Sequence, residues 1–119
     1  MARPVVHWEI GARDAAVLRL FYAELFDWEI TGDADYGLVS PTAGGIGGGI
    51  LQTQGGVPPY VTIYVAVDDL EGALERAAAL GGRTVMAPMP IPGVGAFAMF
   101  ADPEGNAIGL MKEAPAASG

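Results

Sequence analysis

The chain contains no cysteine. That excludes thiolate catalysis, disulfides and cysteine-based zinc sites at once. Histidine is nearly as scarce, and His7 is the only one. Basic residues are few: six Lys and Arg stand against fourteen Asp and Glu, for a net charge of −8. A phosphate backbone needs a basic footprint, so nucleic acid is excluded as a partner. The acidic balance is compatible with a cationic ligand, and it also keeps a surface soluble. No apolar run is long enough to span a bilayer, and Met1 to Val6 is too short and mixed for a signal peptide. The expectation is a soluble cytoplasmic protein with no membrane partner.

Against these absences, 51% of the 119 residues are hydrophobic. That suffices for a core without metals or disulfides, in one domain. Pro4 to Ile10 alternates as a strand, with Val6, Trp8 and Ile10 on one face and His7 and Glu9 on the other. Asp14 offers an N-cap to a helix reaching about Asp27. Leu18, Phe21, Tyr22 and Leu25 supply its helical spacing, which predicts one buried face. Short strands follow at Trp28 to Thr31, Tyr36 to Ser40 and Gly49 to Thr53. The last is entered through "PTAGGIGGG", which lacks the Lys-Ser/Thr of a phosphate loop and reads as a flexible loop or bulge.

After a Gly/Pro linker the plan starts again. Tyr60 to Val67 alternates, placing Val61 and Ile63 toward the helices with Trp8, and Tyr60, Thr62 and Tyr64 on the other face. Asp68 to Glu71 reads as a D-x-x-E capping box. Leu70, Leu74, Ala77 and Ala78 form the helix stripe, and Gly81 and Gly82 end it. Arg83 to Ala87, Val94 to Ala101 and Asn106 to Glu113 read as strands. "APMPIPGVG" between the first two reads as a Pro-rich connection. In "FADPEGNAIGLM", Asp102, Pro103 and Gly105 fit a type I turn, and Gly109 sits in mid-strand with no side chain to pack.

The order is βαβββ twice. A shift that puts Asp14 on Asp69 also puts Leu25 on Leu80, Ile30 on Val85 and His7 on Thr62. The fold class expected is α+β: two βαβββ modules, about 4–53 and 60–112, forming a curved sheet around a cleft, with one helix per module outside. The domain is expected over 1–112 and a disordered tail over 113–119.

The stretches "VVHWEIGARDAAVLRLFYAELFDWEI", "VTIYVAVDDLEGALERAAALGG" and "FADPEGNAIGLM" together resemble the vicinal oxygen chelate superfamily of glyoxalases, extradiol dioxygenases and bleomycin-resistance proteins. The resemblance implies the paired-module fold. In the superfamily's metal enzymes, ligands to a divalent ion come from the first and last strand of each module. His7 matches the first of these places. Gly49 or Ile50, Thr62 and Gly109 fall on the others. A catalytic ion of this kind wants three or more protein ligands, so no metal or other cofactor is expected. No catalytic residue is assigned.

The function expected is binding of a small organic molecule, aromatic or cationic, as in the bleomycin-resistance branch, with sequestration of a drug or natural product as its role. A metal-dependent lyase or dioxygenase with unusual ligands is the alternative. By parity the ligand-binding residues are His7, Glu9, Tyr60, Thr62, Tyr64, Phe97, Met99 and Met111. Proteins that resemble this one often form homodimers, and a homodimer is expected.

Overall fold

A computed structural model describes residues 2–42 and 44–113. Among the described residues are eight strands and two helices, an α+β fold built of two βαβββ modules. The described residues divide into two compact units, one within 6–63 and the other made of 2–5 with 64–113.

In the first unit, β1 (Val5–Ala12) leads into α1 (Ala15–Phe26). Asp14 caps α1 by accepting from the Val17 amide. Gln52 adds a second cap, since its Oε1 accepts from the Ala15 amide. Asp27 ends the helix in the left-handed region at φ 57°, a conformation that Asp tolerates. β2 (Ile30–Gly32), β3 (Tyr36–Val39) and β4 (Gly48–Gln52) follow. β4 pairs in parallel with β1, and β3 pairs antiparallel with both β4 and β2. The core lies between α1 and the sheet. Ala12, Ala15, Val39 and Ile50 are buried there, with Trp8, Ile10, Leu18, Tyr22, Trp28 and Ile30 packed on them.

That packing corrects one expectation. Leu18 and Tyr22 face the core, but Phe21 and Leu25 are exposed. The buried face of α1 is therefore turned away from half of the predicted stripe.

The second unit repeats the plan. β5 (Tyr60–Ala66) contributes its C-terminal part, Tyr64–Ala66, and α2 (Leu70–Ala79) follows. The N-cap is Asp69, which accepts from the Gly72 amide. Asp68, expected as the cap, instead pairs with Arg3 at 3.0 Å. Gly81, at φ 104°, lets the chain leave the helix. β6 (Arg83–Ile91), β7 (Gly95–Ala101) and β8 (Ala107–Glu113) complete the unit. β8 pairs in parallel with β5, and β7 pairs antiparallel with β8 and β6. Leu70, Leu74, Ala98 and Leu110 form its core, with Val65, Val67 and Phe100 against them.

Only the end of the Pro-rich stretch, 92–94, is a connection. β6 runs through it to Ile91, with register shifts between Thr84 and Met89. Proline is admitted because β7 is the one strand that β6 pairs with in this unit, so a missing donor on the other side breaks no ladder bond. β8 reaches Glu113, and the rest of the expected tail, 114–119, lies outside the described residues. The Asp102 turn forms as expected. Gly105 donates its amide to the Asp102 carbonyl at 2.8 Å, and the Asp102 carboxylate accepts from the Glu104 and Asn106 amides. A hydrogen bond from the Asn106 side chain, supported by the Asn106, Glu104 and Gly105 amides, holds the Asp102 carboxyl below the usual range.

No helix among the described residues is long and apolar enough to cross a membrane.

Candidate functional site

β1 presents His7, Glu9 and Gly11 on the face away from α1, because side chains alternate along a strand and Trp8, Ile10 and Ala12 pack toward the helix. Glu9 is 5% exposed. A carboxylate so placed needs hydrogen-bond donors, and tyrosines supply two. The Tyr36 hydroxyl donates to Glu9 Oε2 at 3.0 Å, and the Tyr60 hydroxyl donates to Oε1 at 2.7 Å.

His7 joins the same cluster. Its Nε2 lies 2.9 Å from the Tyr36 hydroxyl, and the two rings stack with centroids 6.5 Å apart. Tyr36 has one proton and gives it to Glu9, so the Nε2–H of His7 is the donor in this arrangement. Burial lowers the His7 imidazole below its ordinary 6.5, and the neighbouring Glu9 carboxylate opposes that only in part.

Glycines make room for the rings. Tyr36 reaches across β4 and lies on Gly49, where even a methyl group would overlap its ring. Tyr60 covers Gly11 in the same way, and the Trp8 indole covers Gly48 on the helix side of the sheet. The run "GGIGGG" thus ends in two strand residues that are glycine because aromatic rings press on both faces.

The second unit carries an equivalent pair. Glu9 is registered with Gly49 in the β1–β4 ladder, and Tyr64 with Gly109 in the β5–β8 ladder. The Tyr64 ring lies on Gly109. Phe97 approaches it edge-on at 6.5 Å. The β7–β8 register places Met99 opposite Gly109 and Phe97 opposite Met111, so these side chains share the face away from α2.

The predicted residues therefore fall into two sets. His7, Glu9 and Tyr60 are joined by hydrogen bonds in one unit, and Tyr64, Phe97, Met99 and Met111 share a face in the other. Thr62 is buried, with its hydroxyl directed to the Ile63 carbonyl at 3.4 Å. Tyr36 was missed. Its signal was the alternation of Tyr36 and Leu38 with Gly37 and Val39, combined with a glycine at 49 for the ring to rest on.

One further expectation is corrected. Val61 and Ile63 do not pack beneath a helix: Val61 is 76% exposed and Ile63 36%. The helix-packed residues of that parity come later, at Val65 and Val67. Tyr64, on the other face, is buried.

The places that resemble metal-ligand positions can be tested the same way. Gly49 and Gly109 lie under tyrosine rings, Ile50 is fully buried in the core beneath α1, and Thr62 offers a hydroxyl already engaged. Among the described residues no three His, Cys, Asp or Glu side chains come together as a metal site. This donor set does not fit the divalent ion of the superfamily's enzymes. A groove of about 620 Å³ lies elsewhere, in the second unit beside α2. Its aspartates are spent on Arg3, the α2 cap and the 102–106 turn, and none of the predicted ligand-binding residues lines it.

A family model described as a glyoxalase-like domain matches residues 7–111. The Mycobacterium tuberculosis protein CFP32, named as a candidate glyoxylase, is 36% identical over 87 residues, which cover 73% of this chain and 33% of that protein. The anthracycline biosynthesis protein DnrV of Streptomyces peucetius is 29% identical over 125 residues, covering 89% of this chain and 46% of that one. The chain thus spans less than half the length of these curated relatives. Among solved structures, methylmalonyl-CoA epimerase from Mycobacterium tuberculosis superposes with a TM-score of 0.72 at 15% identity, over 93% of this chain and 88% of that one. A glyoxalase/bleomycin resistance protein/dioxygenase superfamily member from Vibrio splendidus gives 0.64 at 16% identity, over 95% and 100%. At these identities the likeness is one of fold.

Proposed function

Since this chain belongs to the glyoxalase-like domain family, we propose that it is a binding member of it: it holds a planar, cationic organic molecule without a divalent ion, as a protein sequestering a drug or natural product would. The observation behind this reading is the buried Glu9 carboxylate, held by the hydroxyls of Tyr36 and Tyr60 with His7 attached. Glu9 is too deep to be the first contact. His7, Tyr36 and Tyr60 are each only partly buried, and a ligand meets them first. Tyrosine faces attract planar and cationic groups. A carboxylate bonded to the hydroxyl of each ring strengthens that attraction, and its burial weakens screening by salt. Glu9 in this reading orients and polarises the rings. One relative is named for anthracycline biosynthesis, and an anthracycline glycoside is planar, aromatic and amine-bearing, which suits this chemistry.

The test is fluorescence titration of metal-free protein with an anthracycline glycoside, followed by smaller aromatic amines. Saturable binding is expected, equal with chelator or with added Zn²⁺ or Mn²⁺. Glu9→Gln and Tyr36→Phe are expected to weaken it at least about tenfold, or 1.4 kcal/mol. Absence of binding across that panel, or binding only after a divalent ion is added, would overturn the reading.

A further inference from the structure

The two modules fill the space beside their helices differently. The shift that sets Asp14 on Asp69 joins the two N-caps, each accepting from the amide three residues on. Carried along the helices, the same shift sets Leu18 on Ala73 and Tyr22 on Ala77. In the first unit Leu18 and Tyr22 pack on the core, and the Tyr22 ring stacks on Trp28 with centroids 5.5 Å apart. In the second unit the two alanines carry too little side chain to fill that flank of α2, and Trp28 falls on Arg83, which is exposed. The groove of about 620 Å³ runs along this flank: Ala73 and Ala77 line it, with Val67, Phe100 and Pro103. Val67 and Phe100 are only half-buried, so the groove presents apolar surface to solvent.

We propose that this groove is a second binding site, for a planar aromatic carboxylate of two fused rings. The rings take the place that Tyr22 holds in the first module, and the carboxylate meets Arg76. The volume lies within the range of small-molecule sites, and stacked rings are what fills the equivalent space in the other copy of the repeat. The charge selects an acceptor. Asp68 pairs with Arg3, Asp69 caps α2 and Asp102 holds its turn. Arg76 is the lining charge whose side chain has no hydrogen bond or ion pair among the described residues. A guanidinium grips a carboxylate through two parallel hydrogen bonds and also stacks on aromatic faces. A cationic ligand would leave it unpaired. The net charge of −8 opposes an anion at long range, so the rings carry most of the affinity and salt relieves the repulsion. None of His7, Glu9, Tyr36 and Tyr60 lines this groove, so the site is separate from the Glu9 cluster.

Titration of the whole, isotope-labelled chain with naphthoate, followed by amide-detected NMR, tests this. Saturable shifts are expected, with a dissociation constant of about 1 mM or tighter, centred on Ala73, Ala77 and Phe100 and not on His7, Glu9 and Tyr60. Ala77→Tyr gives the second module the residue of the first. It should keep the far-ultraviolet circular dichroism of the wild-type chain and weaken naphthoate at least about tenfold, because its ring occupies the groove. Ala73→Leu, a smaller addition copied from Leu18, is the second filling variant and should act in the same direction. Arg76→Gln should weaken naphthoate about threefold, as loss of an exposed ion pair does, and leave the uncharged naphthamide unchanged. No saturable shift, shifts centred on the Glu9 cluster, folded filling variants that bind as the wild type does, or naphthoate binding indifferent to Arg76→Gln would each overturn the proposal.

Discussion

Gly109 and Tyr64 form one fitted pair: the ring of one occupies the space where the other would carry a side chain. Glycine in a strand gives up packing and costs chain entropy, and here the ring restores the packing. Gly109→Ala is therefore expected to destabilise by about 1–3 kcal/mol, as overpacking does. Tyr64→Ala should cost about 3 kcal/mol or more as a buried cavity. The double variant should cost less than the sum, since the added methyl enters vacated space. Urea unfolding of the three variants measures this coupling, and strict additivity would show that the ring and the glycine are independent. From the sequence, Gly109 could be seen as a place with something missing. That Tyr64 fills it could not be seen, because the pairing depends on the β5–β8 register between residues far apart in the chain.

Asp14 and Asp69 are N-caps of α1 and α2, and each is expected to cost about 1 kcal/mol when replaced by alanine. Asp68→Ala should change stability by less than about 0.5 kcal/mol, because its pair with Arg3 is exposed. Thermal melts of the three variants decide between adjacent Asp68 and Asp69 as the cap. The internal repeat already pointed to Asp69, by aligning it with Asp14, whereas the D-x-x-E motif pointed one residue earlier. The order of elements was readable because caps, turn residues and strand alternation agree. The phase of α1 was not. Apart from Arg19 and Glu24 that helix is apolar, so periodicity offers two faces, and packing alone chose Leu18 and Tyr22 over Phe21 and Leu25. Tyr36 escaped notice for a related reason: a four-residue strand has too few alternations to announce its faces.

Folding as a whole is tied to pH through His7. Its imidazole is lowered from 6.5, first by burial, with Glu9 acting the other way. The unfolded chain takes up that proton near the ordinary value and the folded chain only at lower pH. Below the ordinary value the unfolded state thus binds more protons, and stability falls as pH falls; above it this contribution is flat. The urea midpoint of the wild-type chain should decline from about pH 7 to about pH 5 more steeply than that of His7→Gln. Parallel profiles would remove His7 from the account. Each sheet unit also has to end somewhere, and β6 is where the second one ends. A terminal strand with free amides and carbonyls is a template on which another chain can crystallise as added strand, the first step toward fibrils. Pro88 and Pro90 carry no amide hydrogen, and the register shifts around Met86 break the flat spacing such growth needs. The prolines that look from sequence like a break in the structure thus guard an apolar, cysteine-free chain against propagating its own sheet.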